Sequence, residues 1–367
     1  MVDITRRNML ETMAAGAVGV ATGSLFQMDK TMAEETTFAP APVAKDICGD
    51  PRIRGPFPIL STPFMESGAV DYDVLAKEAQ FVDSCGSPGM IWPQSGDSVD
   101  LLTMEEKLQG MEVLSDALKG RQSALCLGVQ GKDTQEMLIY ARHAEKLNPP
   151  AIISRPPDEG KTQDDMREYW EALAKIANRP VIIQTSGGTK YKGPGPSVEL
   201  LIDLGKKYDH FGYVKEETNP ILARMQQLNA AKPAIKCLFS AMGGFGWLHQ
   251  FRYGSEGLIT ERAVYADILA QIWSASEEGN SIVAADLFSK LLLMLNLKET
   301  IYCNQLRGFH LYVWQKRGVF RNRLSRDYGP QSSVPEKPIL SDMRLSREQI
   351  EEIDARLEVL KPYFKVQ

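Results

Sequence analysis

The sequence predicts an α/β protein: a (β/α)8 TIM barrel with an additional C-terminal helical region. Three observations carry that expectation. Short apolar runs at 57–62, 89–92, 124–129, 151–154, 181–185, 212–215, 235–239 and 257–259 alternate with helical patterns at 72–83, 104–118, 133–147, 164–177, 198–208, 220–230 and 245–253. Such alternation marks βαβ units and a parallel sheet, and eight strands within ~250 residues fit a closed barrel. The alternative, an open doubly wound sheet, usually carries a GxGxxG fingerprint. The glycine-rich stretch at 241–247 lacks that spacing and reads as a βα turn.

Taken in order, the chain divides into residues 1–33, 34–53, 54–262 and 263–367. The first part places Arg6-Arg7 ahead of an uncharged, Gly/Ala-rich run from Thr12 to Phe26. A twin arginine before a weakly apolar segment reads as a twin-arginine export signal cut after Ala33, which puts the protein in the periplasm. The run falls short of the ~20 residues a membrane span needs, so no stable membrane insertion is expected after processing. An amphipathic N-terminal helix is the other reading. Residues 34–53 turn to Thr, Ala, Pro and acids and read as a linker. Residues 54–262 carry the barrel. Beyond them, 264–276, 281–295, 298–316 and 346–360 show apolar residues only at helical spacing, and Ser346-Arg-Glu-Gln349 forms a capping box for the last.

Composition excludes several classes. With 43% hydrophobic and 24% charged residues in 367, the chain can bury a large core, and a net charge of -5 without a basic block excludes a nucleic-acid footprint. Five scattered cysteines without CxxC spacing read as buried thiols. His143, His210, His249 and His310 show no ligand spacing, so no metal and no cofactor is expected.

One stretch stands apart: Phe211-Gly-Tyr-Val-Lys-Glu-Glu-Thr218, an apolar run ending in a lysine. Burial disfavours an ammonium and favours the neutral amine that attacks a carbonyl, so Lys215 is the candidate nucleophile; a lysine snorkelling to solvent is the competing reading. Period-two alternation puts Tyr213, Lys215 and Glu217 on one side and Val214 and Glu216 on the other. If the first side is the barrel interior, Glu217 lies at the mouth one step above Lys215, as a proton acceptor or as a solvated or ion-paired acid.

Thr62-Pro63-Phe64 after the first strand, a Gly-rich turn before Thr103-Met-Glu-Glu-Lys107, Val214-Lys215-Glu216 on the sixth strand and the helical C-terminus resemble the dihydrodipicolinate synthase/N-acetylneuraminate lyase family of class I aldolases. The resemblance implies that Lys215 forms a Schiff base with pyruvate or another 2-oxo acid, and that the chain assembles as a dimer or tetramer. It also implies that the turn after the second strand holds the substrate carboxylate; here that turn is Pro93-Gln94-Ser95-Gly96-Asp97, with Gln94, Ser95 and Gly96 as the candidates.

Other family positions depart from the pattern. Gln184 stands where a proton-relaying tyrosine is expected, and an amide is neither acid nor base near neutral pH. Ser154-Arg155-Pro156-Pro157 replaces a Pro-Tyr-Tyr, so the tyrosine that a neighbouring subunit often contributes is missing. Arg155 has the planar fork that suits a carboxylate, or pairs instead with Asp158 or Glu159. Tyr191, in an inserted loop, is the phenol available to act as a substitute, and Ile259 on the eighth run joins the substrate-binding set. The expected reaction makes or breaks a carbon–carbon bond next to the imine, or eliminates a neighbouring hydroxyl, on a 2-oxo acid or sugar acid. A non-catalytic exported binding protein and a barrel enzyme working without an imine are the alternatives.

Overall fold

The computed structural model describes residues 48–297, 308–327, 339–342 and 344–366. The proposed signal segment, residues 34–47 of the proposed linker, Cys303 and the first part of the pattern at 298–316 lie outside the described residues; of the rest of that linker, Ile53 is buried with the barrel-interior core.

The strands are β1 (Gly55–Pro58), β2 (Gly89–Trp92), β3 (Ala124–Gly128), β4 (Ala151–Ser154), β5 (Val181–Gln184), β6 (Tyr213–Lys215), β7 (Cys237–Ser240) and β8 (Ser255–Thr260). All pair in parallel in the order β1-β8-β7-β6-β5-β4-β3-β2. A bridge between Ile59 and Ile91, with Leu60 N–H donating to the Ile91 carbonyl at 3.0 Å, brings β1 to β2 and nearly closes the barrel. The α/β class and (β/α)8 architecture expected from the sequence are therefore the observed ones.

The helices begin where capping chemistry starts them. Asp71 accepts from the Val74 amide ahead of α1 (Tyr72–Ser84), and Thr103 and Glu106 form a capping box on α2 (Met104–Ala117). Asp133 caps α3 (Thr134–Leu147), Thr162 and Asp165 box α4 (Gln163–Ala174), and Ser197 caps α5 (Val198–Lys207). Each such oxygen satisfies an amide that has no partner within its helix. α6 (Ile221–Ala230) follows Pro220 without a side-chain cap.

Alternation along the strands splits the apolar residues into two cores. Phe57, Ile59, Ile91, Cys126, Ile153, Ile182, Tyr213, Phe239 and Ile259 fill the barrel interior, while Trp92, Leu127, Ile152, Ile183, Val214 and Leu238 pack under the helices. Gly110 on α2 is required for the outer packing, because a Cβ there would run into the Trp92 ring.

Three features depart from expectation. The pattern at 245–253 is broken into a one-turn helix, α7 (Trp247–Gln250), between 3-10 turns; positive φ at Met242, Gly243 and Gly244 before it and at Gly254 after it bars a regular helix from extending in either direction. The helix after β8, α8 (Ala266–Glu277), places Trp273 against Gly55 and beneath Arg54. It thus covers the β8–β1 seam as a barrel helix, although the sequence grouped it with the C-terminal region. That region continues with α9 (Ser281–Leu295), α10 (Gly308–Lys316) and α11 (Arg347–Leu360), whose Ser346–Gln349 capping box forms as read. It also contains an antiparallel ribbon of β9 (Leu324–Asp327) and β10 (Ile339–Asp342) that no periodicity announced. Arg326 on the ribbon ties down the loops after β1 and β2 through the Gly68 and Leu101 carbonyls and both oxygens of Glu106.

Candidate active site

Lys215 ends β6 with 3% of its surface exposed. Its register partner on β5 is Gln184, and the two side chains meet: Lys215 Nζ donates to Gln184 Oε1 at 2.9 Å. On the other flank Glu217 Oε1 lies 3.1 Å from Nζ. Ser186 closes a ring, donating its hydroxyl to Glu217 Oε2 while accepting from Gln184 Nε2 at 3.1 Å. Gln184 Nε2 also donates to the Ser186 carbonyl at 2.9 Å. The result is a closed circuit of Lys215, Gln184, Ser186 and Glu217 at the C-terminal end of the barrel, where catalytic groups of this architecture gather.

The opposite parity supports this circuit from behind. Glu216, fully buried, accepts from Thr185 Oγ1 at 2.8 Å and from the Thr218 amide at 2.7 Å, and pairs with Arg224 Nε at 3.1 Å. Thr185 Oγ1 in turn accepts the Glu217 amide at 2.7 Å. Adjacent glutamates thus have separate tasks, because successive side chains point to opposite faces. Tyr213, one layer below Lys215, turns its hydroxyl to the far end of the barrel, where it accepts the Asp50 amide at 2.8 Å. Burial pushes that phenol up to about 12.

The turn after β2 lies across the mouth. Gln94 is 0% exposed; its Oε1 accepts the Ser95 amide at 2.6 Å, and its Nε2 has no hydrogen-bond partner among the described residues. Asp97 receives the Thr62 amide at 3.0 Å and the Thr62 hydroxyl, which itself accepts from Trp92 Nε1 at 3.0 Å. Gly96, at φ +94, faces Glu261: a Cβ there would lie 3.2 Å from the Glu261 Cβ. Burial pushes the Glu261 carboxyl up, but the charge of Arg262, a bond from its own amide and the charge of Lys215 together hold it below the usual carboxylate range. Sequence reasoning missed Glu261. Its signal was parity, since it follows the inward-facing Ile259 by two residues on the same run.

Arg155, 3% exposed, follows inward-facing Ile153 by two residues. Its Nη1 donates to Ser95 Oγ at 2.6 Å, and its Nη2 reaches Asp100 at 2.5 Å and Asp158 at 3.5 Å. Asp158 is one of the two partners the sequence suggested, whereas Asp100 is unexpected. Thr189 Oγ1 donates to the other Asp100 oxygen at 3.1 Å, and a Cβ on Gly188 would collide with the guanidinium. Tyr191 donates its hydroxyl to the Pro194 carbonyl at 2.6 Å and touches the Met166 sulfur at 3.6 Å; it makes no hydrogen bond to Lys215 or Glu217. Ile259 lies in the interior layer opposite Phe57 on β1. The fold therefore joins Lys215, Gln184 and Glu217 in one network and Ser95 and Arg155 in another, with Tyr191 in neither. Among the described residues no three His, Cys, Asp or Glu side chains converge as a metal ion would require.

Ionisable side chains gathered on one end of an eight-stranded parallel barrel define an enzyme scaffold. The chain belongs to the Dihydrodipicolinate synthetase family, whose model matches residues 52–308, and is a lyase of the aldolase type. It is 26% identical over 243 residues to the 4-hydroxy-tetrahydrodipicolinate synthase of Rhizobium meliloti (strain 1021), covering 65% of this chain and 80% of that protein. A 4-hydroxy-tetrahydrodipicolinate synthase of Prosthecochloris aestuarii (strain DSM 271 / SK 413) is 26% identical over 255 residues, covering 68% and 83%. Among solved structures, the sialic acid aldolase of Ruminococcus gnavus superposes with a TM-score of 0.72 at 16% identity, over 85% of this chain and all of that one. Dihydrodipicolinate synthase from Rhodopseudomonas palustris gives 0.70 at 20% identity, over 84% and 98%. The two structural likenesses establish the fold.

Proposed function

We propose that the protein is a class I aldolase in which Lys215 forms an imine with pyruvate or another 2-oxo acid and Glu217 moves the protons. The observation that carries this reading is the position of Lys215 Nζ, buried at the end of β6 and in contact with one carboxylate and one amide oxygen. The ammonium passes a proton to Glu217 and the amine attacks C2 of the 2-oxo acid. The carbinolamine oxygen takes that proton back and leaves as water, giving a protonated imine. Glu217 then removes a proton from C3, and the electron pair is held as the enamine. The enamine carbon attacks an aldehyde carbon while Glu217 returns the proton to the aldehyde oxygen. Water hydrolyses the new imine to a 4-hydroxy-2-oxo acid and restores Lys215; the reverse sequence cleaves the same bond. Gln94 Nε2, a buried donor without a partner, supports placing the substrate carboxylate at the turn after β2.

The test is borohydride trapping. Full-length protein incubated with pyruvate, or with 2-oxo sugar acids, is expected to gain the mass of the reduced adduct on the Lys215 peptide, and Lys215→Ala is expected to gain none. Absence of any adduct in folded protein would overturn the imine. Export belongs to the same proposal and rests on Arg6-Arg7: replacing both with lysine is expected to retain the chain in the cytoplasm. Assembly as a dimer or tetramer is proposed from the family, with light scattering as its check.

A further inference from the structure

Arg155 has the fork that suits a carboxylate, yet both of its Nη groups are already engaged. One guanidinium faces two carboxylates, Asp100 at 2.5 Å and Asp158 at 3.5 Å, and also holds the Ser95 hydroxyl at 2.6 Å. Two further cations act on this cluster: Lys107, whose Nζ lies 5.2 Å from the Tyr140 ring centre and which feels the charges of Glu136, Asp100 and Asp158, and Lys190, whose charge acts on Asp158. The loop after β5 binds this cluster to the reactive lysine: Ser186 belongs to the circuit around Lys215, Gly188 lies against the Arg155 guanidinium, and Thr189 donates to Asp100. Arg155 is almost wholly buried, and its Nε has no hydrogen-bond partner among the described residues.

The two carboxylates are not equivalent. Burial raises Asp100, but the adjoining Arg155 charge and hydrogen bond, with help from Thr189, hold it below the usual range. Asp158 stays above that range, because burial outweighs the more distant Arg155 and the Asp100 charge adds to it. Asp100 therefore takes most of the guanidinium, and Asp158 keeps acceptor capacity.

We propose that the Arg155–Asp100–Asp158 cluster is the subsite for the second reactant and selects an uncharged hydroxyaldehyde over an aldehyde bearing its own carboxylate. Hydroxyl donors match Asp158 and the Ser95 oxygen. A carboxylate brought to the same place has to displace Asp100, at 2.5 Å, from the guanidinium and lies beside the charge of Asp158, whereas a hydroxyl displaces neither. The inference rests on the aldolase reading above.

The experiment uses full-length protein with pyruvate as fixed donor, and compares kcat/KM for glycolaldehyde and glyceraldehyde with kcat/KM for glyoxylate and succinic semialdehyde. The uncharged aldehydes are expected to lead by at least about tenfold. Asp158→Asn, and Asp100→Asn with Asp158→Asn, release Arg155 and are expected to move the ratio toward the charged aldehydes by at least about tenfold. Equal or reversed preference in the wild type overturns the subsite, whether or not the variants fold. So does an Asp158→Asn variant that folds and leaves the ratio unchanged, or imine formation with neither kind of aldehyde consumed. Borohydride trapping in the same samples separates the two levels: an adduct with the wrong aldehyde preference sinks only the subsite, while no adduct sinks the aldolase reading and the subsite with it.

Discussion

Gln184 and Lys215 are register partners on neighbouring strands, and the amide oxygen of one accepts from the ammonium of the other at 2.9 Å. An amide holds the lysine in place without exchanging protons with it. The carboxylate in contact with Nζ is Glu217, at 3.1 Å, and Ser186 donates to its far oxygen. On the proposed reading, the proton work falls on this carboxylate two residues beyond the lysine.

Glu217→Gln keeps the shape of the circuit and removes its base. We expect kcat to fall by about 10²- to 10⁴-fold, the range for loss of a general base, while the pyruvate adduct still forms when borohydride is added over long incubation. Wild-type turnover in this variant would move the proton chemistry to another group, with Glu261 the next to examine.

Ser186→Ala removes the link between Gln184 and Glu217. A fall of roughly tenfold in kcat with KM changed by less than about threefold is expected, because the hydroxyl positions the base and touches no substrate. Steady-state kinetics check this, and a large KM effect with unchanged kcat would place Ser186 in binding instead.

Tyr191→Phe tests the phenol that the sequence offered as a substitute relay. With its hydroxyl committed to Pro194, the variant is expected to keep activity within about twofold and to lose about 1 kcal/mol or less of stability, the worth of one ordinary hydrogen bond. A loss of activity beyond about 100-fold would return it to the catalytic set.

Glu78 on α1 is 0% exposed, accepts the Ser61 amide at 2.8 Å through one oxygen, and has no partner for the other among the described residues. Burial holds its carboxyl well above the ordinary value, against the Ser61 bond and with the Asp97 charge adding to the effect. A raised acid is protonated in the folded state and ionised in the unfolded one, so its contribution is full below the unfolded value near 4.5 and fades as pH rises toward the folded value. Glu78→Gln is expected to remove that loss, gaining on wild type by up to about 1.4 kcal/mol per pH unit above the unfolded value. Urea unfolding from pH 5 to 8 measures it, and parallel curves would show that Glu78 ionises freely in the fold.

Asp267 on α8 and Arg317 after α10 form a buried pair at 2.6 and 3.1 Å, with the Lys365 amide on Asp267 and the Val264 carbonyl on Arg317. Asp267→Ala would leave a buried guanidinium unpaired, and a loss of about 3–5 kcal/mol is expected from thermal or urea unfolding. A loss under about 1 kcal/mol would mean that water reaches Arg317 freely.

Much of the barrel was legible because its signals are local. Strands covered on both faces read as continuous apolar runs, and Asp71, Thr103, Asp133, Thr162 and Ser197 announce helix starts within four residues of the amides they cap. The same period of two puts Tyr213, Lys215 and Glu217 on one face of the sixth strand, and extends from Ile259 to Glu261 on the eighth. The β9–β10 ribbon was not legible, because its charged four-residue strands have no periodicity of their own and are held by Arg326 on distant loops.

What the sequence determined by itself was the architecture and the placing of Lys215 and Glu217 on one face of the sixth strand, since each depends only on backbone periods and capping bonds between near neighbours; that this face points inward was decided by the closed barrel. Tertiary structure alone decided which side chains meet. Ser186 joins Glu217 across 31 positions, Arg155 joins Asp100 across 55, and Tyr191 turns to Pro194 and Met166. Those contacts are set by how the loops close over a finished barrel, and the chain separation that hides them from a local reading is bridged only when the parallel strands bring their ends to one rim.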